Sequence, residues 1–305
     1  MAEENRSNLQ GRPILQGEYK LLSVLETVGD NNVYKSQSVN HPERIFAVHE
    51  FKLEGYEAPE KRAVMMTYFR PIADGYMDFT DPSLSAVRNF FMENGYMYFL
   101  FDYVPGWRLS NYYKARQRPF TENSALDIAR QIARALDLLH NSRPVKFMAD
   151  LSISNVVLAS NGYIMLTDYG LGKLLLNLPV DAPRMGTVGY AAPEQYGASG
   201  IITPATDIYA LGVLMHQLVT YRDPQTNPGK LPPIEELNPA ISPEYCQIVR
   251  MATQVEPKRR FLSARDMEAA IVSIAPKRGK SVKNLKRNPW KELIRTLKAP
   301  FVAQS

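Results

Sequence analysis

The chain has 305 residues, of which 45% are hydrophobic, 22% charged and 10% aromatic. This is the composition of one or two globular domains, and it excludes a disordered, collagen-like or disulfide-stapled protein. Because Cys246 is the only cysteine, an intrachain disulfide is excluded. The first residues are polar and no run of about 18 apolar residues occurs, so together these features predict a cytoplasmic protein.

The net charge of +5 is concentrated in one segment. Residues 277–298 contain nine lysines and arginines and a single acid, Glu292. Of the 36 basic and 31 acidic residues, 27 and 30 therefore lie elsewhere, which gives the rest of the chain a net charge of −3. The basic charge thus belongs to a tail, and the body is mildly acidic.

The first part of the chain is strand-like from about Glu18 to Val104. β-branched and aromatic runs alternate there with turns, which predicts a meander of antiparallel strands. A helix is expected in EAPEKRAVMMTYF, followed by two short strands around the turn Glu93-Asn94-Gly95. The three earlier strands are YKLLSVLE, NVYKSQSV and RIFAVHEF.

The pattern becomes helical after Pro105-Gly106. The segment ALDIARQIARALDLLH carries apolar residues at the spacing of one buried helical face. The segment DIYALGVLMHQLV is apolar nearly all round, so we expect it at the centre of its lobe. Strands followed by helices predict an α+β fold with two lobes. The expected divisions are a polar extension (1–17), a small lobe (18–104), a helical lobe (105–275) and a basic tail (276–305).

The most specific stretch begins Asp150-Leu151-Ser152-Ile153-Ser154-Asn155 and continues through IMLTDYGLG, GTVGYAAPEQY and DIYALG. Phosphoryl transfer needs a carboxylate that orients the attacking hydroxyl and oxygen ligands that hold Mg²⁺. Asp150, Asn155 and Asp168 are of the types that supply those parts. Each alone is more often a turn or cap residue, but their order argues against coincidence.

With these motifs the sequence resembles the eukaryotic-like Ser/Thr protein kinases of bacteria over roughly residues 18–275. The resemblance implies a bilobal protein-kinase-like fold, with a small lobe of antiparallel sheet plus one helix and a larger helical lobe. It implies Asp150 as the catalytic base, Asn155 and Asp168 as metal ligands, and ATP with Mg²⁺ as cofactors. Asp207 and the pair Arg260 and Glu194 match architectural residues of the family.

The resemblance also implies an adenine site. Val33, Ala47 and Val157 match the residues that sandwich the ring, and the hinge falls on residues 101–104. Within that hinge Phe101 is a bulky gatekeeper, followed by Asp102 and Val104. The alternative is that Val33, Ala47 and Val157 are only core residues.

Several positions depart from the family. His49 stands where the third strand carries a phosphate-binding lysine, and a mostly neutral imidazole does not reproduce an ammonium on a long stem. Ser152 replaces the lysine of the catalytic loop, and Ala149 replaces its arginine. The helix places Arg62 at the position of the lysine's glutamate partner, with Glu60 as the weaker candidate.

The glycine-rich loop is also lost. Its pattern places Glu26, Val28 and Asn31 at the three glycine positions, and Asp30 adds a second acid. Backbone N–H groups approach phosphates closely only where side chains are absent. Lys35 shares strand parity with Val33 and is a candidate substitute for the missing lysine, although an exposed lysine is the favoured interpretation.

Two further segments bear on partners. The run Leu174–Leu178 is unusually apolar, and we expect it to pack inward rather than to form a docking patch. In the tail, Trp290, Leu293, Ile294 and Leu297 follow helical spacing with basic residues opposite. This pattern predicts either a helix on an anionic membrane surface, at the inner face of the membrane, or a helix packed on the body.

The leading hypothesis is a pseudokinase that binds other signalling proteins as a scaffold or allosteric regulator, with weak or absent phosphotransfer. The first alternative is an atypical active Ser/Thr kinase that uses Asp150 as base with Asp168 and Asn155 as metal ligands. The second is a membrane-surface binding module that acts through the basic tail. Nucleic acid is not favoured as a partner, because no base-reading motif or aromatic-interleaved groove is evident.

Overall fold

The computed structural model describes residues 14–28, 31–52, 58–77, 81–143, 146–160, 162–168, 186–196 and 201–274. The chain forms two compact units. The described residues up to Pro105 belong to the first unit, and those from Gly106 onward belong to the second. The segment Leu174–Leu178 and the basic tail, with the expectations attached to them, lie outside the described residues.

In its described residues the first unit is an antiparallel sheet with one helix, as the sequence predicts, but the sheet has six strands where five were expected. In the sheet the order is β1-β2-β3-β4-β6-β5, and the helix α1 packs against β5. The short β1 adds two residues of the predicted polar extension to the sheet, by pairing with β2. The elements are β1 (Ile14–Leu15), β2 (Tyr19–Val28), β3 (Asn31–Ser38), β4 (Ile45–Lys52), α1 (Pro59–Met77), β5 (Val87–Glu93) and β6 (Tyr96–Asp102).

The two faces of this sheet carry different residues. Partners directly across an antiparallel ladder share a face, and alternate residues point to opposite faces. On one face a buried cluster forms around Tyr34, Val48 and Leu100. Glu50 lies within it and accepts hydrogen bonds from the hydroxyls of Tyr34 (3.0 Å) and Tyr98 (2.8 Å). The other face carries Val33, Ala47, His49 and Phe101. Asp102, at the end of β6, pairs with Phe46 and so shares the face of the cluster.

The second unit is mainly helical and contains a three-stranded antiparallel sheet in the order β7-β8-β9. Its strands are β7 (Gly106–Arg108), β8 (Val156–Ala159) and β9 (Ile164–Leu166). Its helices are α2 (Leu109–Arg116), α3 (Glu122–His140), α4 (Pro204–Thr220), α5 (Ile234–Leu237), α6 (Pro243–Ala252) and α7 (Ala264–Ile274). Short 3-10 turns cover Ile153–Asn155, Pro193–Gln195, Pro224–Thr226 and Pro257–Arg259.

The helices form where sequence periodicity and caps predict them. The helix α3 begins after Thr121, whose hydroxyl accepts a hydrogen bond from the backbone N–H of Ser124, and it buries one apolar face. The helix α4 is buried along nearly its whole length and packs against α3 and α6, which confirms its predicted central position. Within the described residues no helix is both long and apolar enough to span a bilayer.

Candidate functional site

His49, at the position of the family's phosphate-binding lysine, is packed among aromatic rings. It is 6% exposed, meets the ring of Phe101 edge-on at 5.3 Å between centroids, and stacks on Phe51 at 6.4 Å. It pairs with Val33 and Phe99 in the neighbouring strands, so these residues share one face of the sheet. The imidazole therefore belongs to the aromatic packing of the first unit.

Val33 and Ala47 lie on the same face as His49, and so does Lys35, which pairs with Ala47. The parity argument for Lys35 is confirmed by this register. Its side chain is only partly exposed, and its ammonium lies 4.7 Å from the centre of the Tyr103 ring. Lys35 is thus held against the hinge segment by a cation–π contact, which the favoured interpretation of an exposed lysine did not include.

The hinge residues continue β6 into the segment before Pro105. Phe101 is fully buried, and Val104 is partly buried. The backbone of Asp102 is engaged on both sides, because its N–H donates to Ala86 and its carbonyl accepts from the Ser85 hydroxyl at 2.6 Å. Its carboxylate forms a two-point ion pair with Arg88.

In the segment that replaces the glycine-rich loop, the described residues belong to the paired strands β2 and β3. Pairing continues from Glu26 opposite Val33 to Val28 opposite Asn31, so that only residues 29 and 30 separate the paired positions. Near this end the hydroxyl of Thr27 donates to the side-chain oxygen of Asn32 at 2.9 Å. Glu60 is exposed in the first turn of α1, and the side chain of Arg62 lies outside the described residues.

In the second unit, buried Asp207 fixes the backbone that leads into Asp150. Its carboxylate accepts hydrogen bonds from the N–H groups of Met148 (2.9 Å) and Ala149 (2.8 Å) and contacts His140. Ala149 has a φ of 57°, a left-handed conformation that an alanine adopts only under constraint. Its carbonyl accepts from the side chain of Gln195 at 2.7 Å, so both of its backbone groups are bonded.

Asp150, the predicted base, is held by Thr187. One carboxylate oxygen, Oδ1, accepts from the Thr187 backbone N–H (2.5 Å) and from its hydroxyl (2.8 Å). Burial raises the pKa of Asp150 to about 6 against the lowering effect of these hydrogen bonds, and the charges of Asp168 and Asp207 add to the rise.

Ser152, in the place of the catalytic-loop lysine, caps the 3-10 turn Ile153–Asn155. Its side chain accepts from the N–H of Ser154, and its own N–H donates to the amide oxygen of Asn155 at 2.8 Å. The amide nitrogen of Asn155 donates to the carbonyl of Asp150 at 2.6 Å. Ser152 therefore shapes the loop and carries no charge toward a phosphate.

Asp168, the second predicted metal ligand, has a φ of 64° and is next to Arg108. The guanidinium of Arg108 lies 3.4 Å from the Asp168 carboxylate and donates to the carbonyl of Ser154 at 2.5 Å. Among the described residues, no group of three or more His, Cys, Asp or Glu is placed to hold a metal ion. The Arg108 cation lies at the Asp168 carboxylate, and the Asn155 amide oxygen accepts an N–H from Ser152. Because the oxygens that would bind a divalent ion already face these groups, the arrangement does not fit such an ion.

The second unit brings Asp150, Asn155 and Asp168 together, as the motifs predict. Asn155 bonds to Asp150 on one side, and its carbonyl accepts from the N–H of Thr167, beside Asp168, at 2.9 Å. Val157 is buried in β8. The roles of these residues, and of Val33, Ala47, His49, Phe101, Asp102 and Val104 in the first unit, stay predictions. Tyr169 and Gly170 lie outside the described residues.

Sequence reasoning missed two members of the site. Thr187 lies in the run GTVGY and carried a signal, since it directly follows a glycine ahead of Ala192-Pro193-Glu194. Arg108 carried none, because nothing in the sequence shows which way the side chain of a three-residue strand reaches.

The predicted pair of Arg260 and Glu194 is confirmed. Arg260 has no side-chain exposure and makes two hydrogen bonds to the Glu194 carboxylate, at 2.7 and 2.8 Å. It also donates to the carbonyls of Ala205, Gln254 and Val255. This buried cation joins the start of α4 to the segment that follows α6.

A sheet with one helix, a helical unit, and a loop carrying Asp150 and Asn155 ahead of Asp168 define a protein-kinase-like fold. The chain matches the family described as "Protein kinase domain" over residues 33–290, and it belongs to that family. The crystal structure of the Mycobacterium tuberculosis PknI kinase domain has the same fold, with a TM-score of 0.68 and 21% identity. That likeness covers 86% of this chain and 98% of the other.

The curated relatives include bacterial Ser/Thr kinases. Serine/threonine-protein kinase PrkC of Bacillus subtilis is 27% identical over 270 residues, which cover 84% of this chain and 40% of that protein. Probable serine/threonine-protein kinase PknB of Lactococcus lactis is 24% identical over 267 residues, 83% of this chain and 41% of that protein. The chain thus spans about two fifths of the length of these relatives.

Proposed function

We propose that this protein is a pseudokinase, a kinase-like domain with weak or absent phosphotransfer that acts on other signalling proteins as a scaffold or allosteric regulator. The observation that carries the proposal is the packing of His49. A lysine at this position serves by extending an ammonium to phosphate, whereas His49 is 6% exposed and lies against Phe51 and Phe101.

The other phosphate-facing positions support the same conclusion. Ser152 caps its own turn. The strands β2 and β3 stay paired up to Val28 and Asn31, and Glu26 stands where close approach to a phosphate needs a glycine. The family uses ATP and Mg²⁺, so the proposal allows nucleotide to dock without productive transfer.

A phosphotransfer assay tests the proposal directly. Purified protein is incubated with radiolabelled ATP, Mg²⁺ or Mn²⁺ and a general protein substrate, beside Asp150→Ala and Asp168→Ala. We expect incorporation no greater in wild type than in the two variants. Metal-dependent incorporation that both variants abolish would overturn the proposal.

An atypical active Ser/Thr kinase is the second candidate function, and Asp150 favours it. The carboxylate is retained, Thr187 orients it, and a pKa of about 6 suits a group that takes up a proton near neutral pH. Lys35 would then replace the missing lysine, since it shares the sheet face of Ala47.

Lys35→Ala separates the two candidates. If the protein is an active kinase that uses Lys35, this change eliminates phosphotransfer, whereas Lys20→Ala, an exposed lysine of the same sheet, leaves it unchanged. A thermal-shift titration with ATP adds an independent measurement. A shift that requires divalent metal supports the enzyme, and one that does not require it supports the pseudokinase.

A further inference from the structure

Arg108 is held in place by its backbone. It is the last residue of β7, where it pairs with Val157 of β8, and it directly precedes the first turn of α2. Because a ladder partner lies on one side and a helix begins on the other, the fold of the second unit sets the direction of its Cα–Cβ bond. The side chain is only 17% exposed.

The guanidinium joins the two segments that carry the predicted metal ligands. Its Nη1 donates to the carbonyl of Ser154, the residue before Asn155, and lies 3.4 Å from Oδ2 of Asp168. Asp168 is itself 15% exposed, so this ion pair is partly shielded from water. One fixed positive charge therefore lies between Asp168 and the turn that ends at Asn155.

We propose that Arg108 takes the place of the divalent metal ion at Asp168. A magnesium-type ion needs several oxygen ligands with lone pairs directed at it, and it repels a fixed cation within a few ångströms. The Arg108 guanidinium already neutralises the Asp168 carboxylate and donates to the carbonyl of Ser154. The inference rests on the proposed function, because a domain that has given up phosphotransfer keeps Asp168 as an internal ion-pair partner.

Metal binding by the full chain tests this inference without reference to activity. Arg108→Gln removes the charge and keeps a side-chain donor near the Ser154 carbonyl. Free Mn²⁺ is measured by electron paramagnetic resonance during titration of wild type, Arg108→Gln and the double variant Arg108→Gln/Asp168→Asn. We expect Arg108→Gln to bind Mn²⁺ at least about tenfold more tightly than wild type, because the like charge is gone, and the double variant to lose this gain.

Arg265→Gln is the matched control. Arg265 belongs to the same unit and pairs with the Asp137 carboxylate at 3.1 Å, but it is 75% exposed, so its replacement should leave Mn²⁺ binding unchanged. A folded Arg108→Gln variant that binds Mn²⁺ no better than wild type would overturn the inference. If that variant does not fold, the same titration is made with wild type and Asp168→Asn. Tight Mn²⁺ binding by wild type that is lost in Asp168→Asn would also overturn the inference. The phosphotransfer assay has a separate readout, so it tests the pseudokinase proposal independently of the Mn²⁺ titration.

Discussion

At the scale of single residues, we expect the buried Arg260 to contribute strongly to stability. It is fully buried, and its guanidinium bonds Glu194 and three backbone carbonyls. Arg260→Ala leaves a buried carboxylate without its cation, and we expect a loss of about 3–5 kcal/mol in the free energy of unfolding, measured in urea. Arg259→Ala, which breaks a pair with Glu256 at the exposed surface, should change it by less than about 0.5 kcal/mol.

The same pair predicts a pH dependence. Burial raises the pKa of Glu194, but the hydrogen bonds and charge of Arg260 outweigh that effect and hold the pKa below its ordinary value of 4.5. The pair's contribution to stability is therefore present above pH 4.5 and is lost as the pH falls through the lowered pKa. The destabilisation by Arg260→Ala should shrink correspondingly in acid, and a difference that stays constant into acid would contradict this account.

The contribution of Asp150 to stability has the opposite pH dependence. Because burial raises its pKa from 3.8 to about 6, its contribution to stability is fully present below pH 3.8 and is lost as the pH rises through about 6. Asp150→Asn removes the charge and keeps an oxygen for Thr187. We expect it to raise the free energy of unfolding by about 1–3 kcal/mol at pH 8 and by almost nothing at pH 4.

Urea unfolding at the two pH values measures this effect. Asp74→Asn is the control, since Asp74 is an exposed carboxylate paired with Arg70, and its replacement should change stability by less than about 0.5 kcal/mol at either pH. An equal gain from Asp150→Asn at pH 4 and pH 8 would mean that ionisation is not its cause.

At the scale of elements, close contact between helices α4 and α6 depends on Gly212. A Cβ at this position would lie 2.7 Å from the Cβ of Ala252 and 2.8 Å from a methyl of Thr253. Gly212→Ala should therefore cost about 1–3 kcal/mol by overpacking, although alanine is the better helix former. Gly75→Ala in α1 meets nothing within 4 Å and should gain up to about 1 kcal/mol. Thermal unfolding of the two variants distinguishes packing from propensity, and a stabilising Gly212→Ala would contradict the contact.

Elements were predictable where the spacing of apolar residues or a sequence motif indicated which side chains are buried or paired. The face of α3 and the all-round apolar α4 follow from spacing, and Glu194 with Arg260 followed from matched motifs. The two-residue strand β1 was not predictable, because so short a strand forms through its partner rather than through its own pattern. Arg108 was not predictable either, since its role depends on the length and direction of a side chain that crosses to another segment.

At the scale of the whole molecule, charge is divided between a body of net charge −3 and a tail with nine basic residues in 277–298. Two largely buried cations of the body pair with carboxylates there: Arg260 with Glu194, and Arg108 with Asp168. Because the positive charge is concentrated in the tail, we expect the tail to be the part that meets an anionic surface. Each lysine or arginine near an anionic bilayer contributes about 1 kcal/mol, so this segment has enough charge for binding.

We therefore expect the full chain to sediment with vesicles containing phosphatidylserine, and a chain truncated after Ala275 to remain in solution. Binding should weaken with salt, because the charges are screened, and should be absent from neutral phosphatidylcholine vesicles. Replacement of Trp290 and Leu293 by alanine keeps every charge and removes half of the apolar stripe. If that variant binds as the full chain does, charge alone accounts for the attachment; if it loses binding, the stripe enters the bilayer. If both chains sediment with these vesicles to the same extent, the body, and not the tail, accounts for the lipid binding.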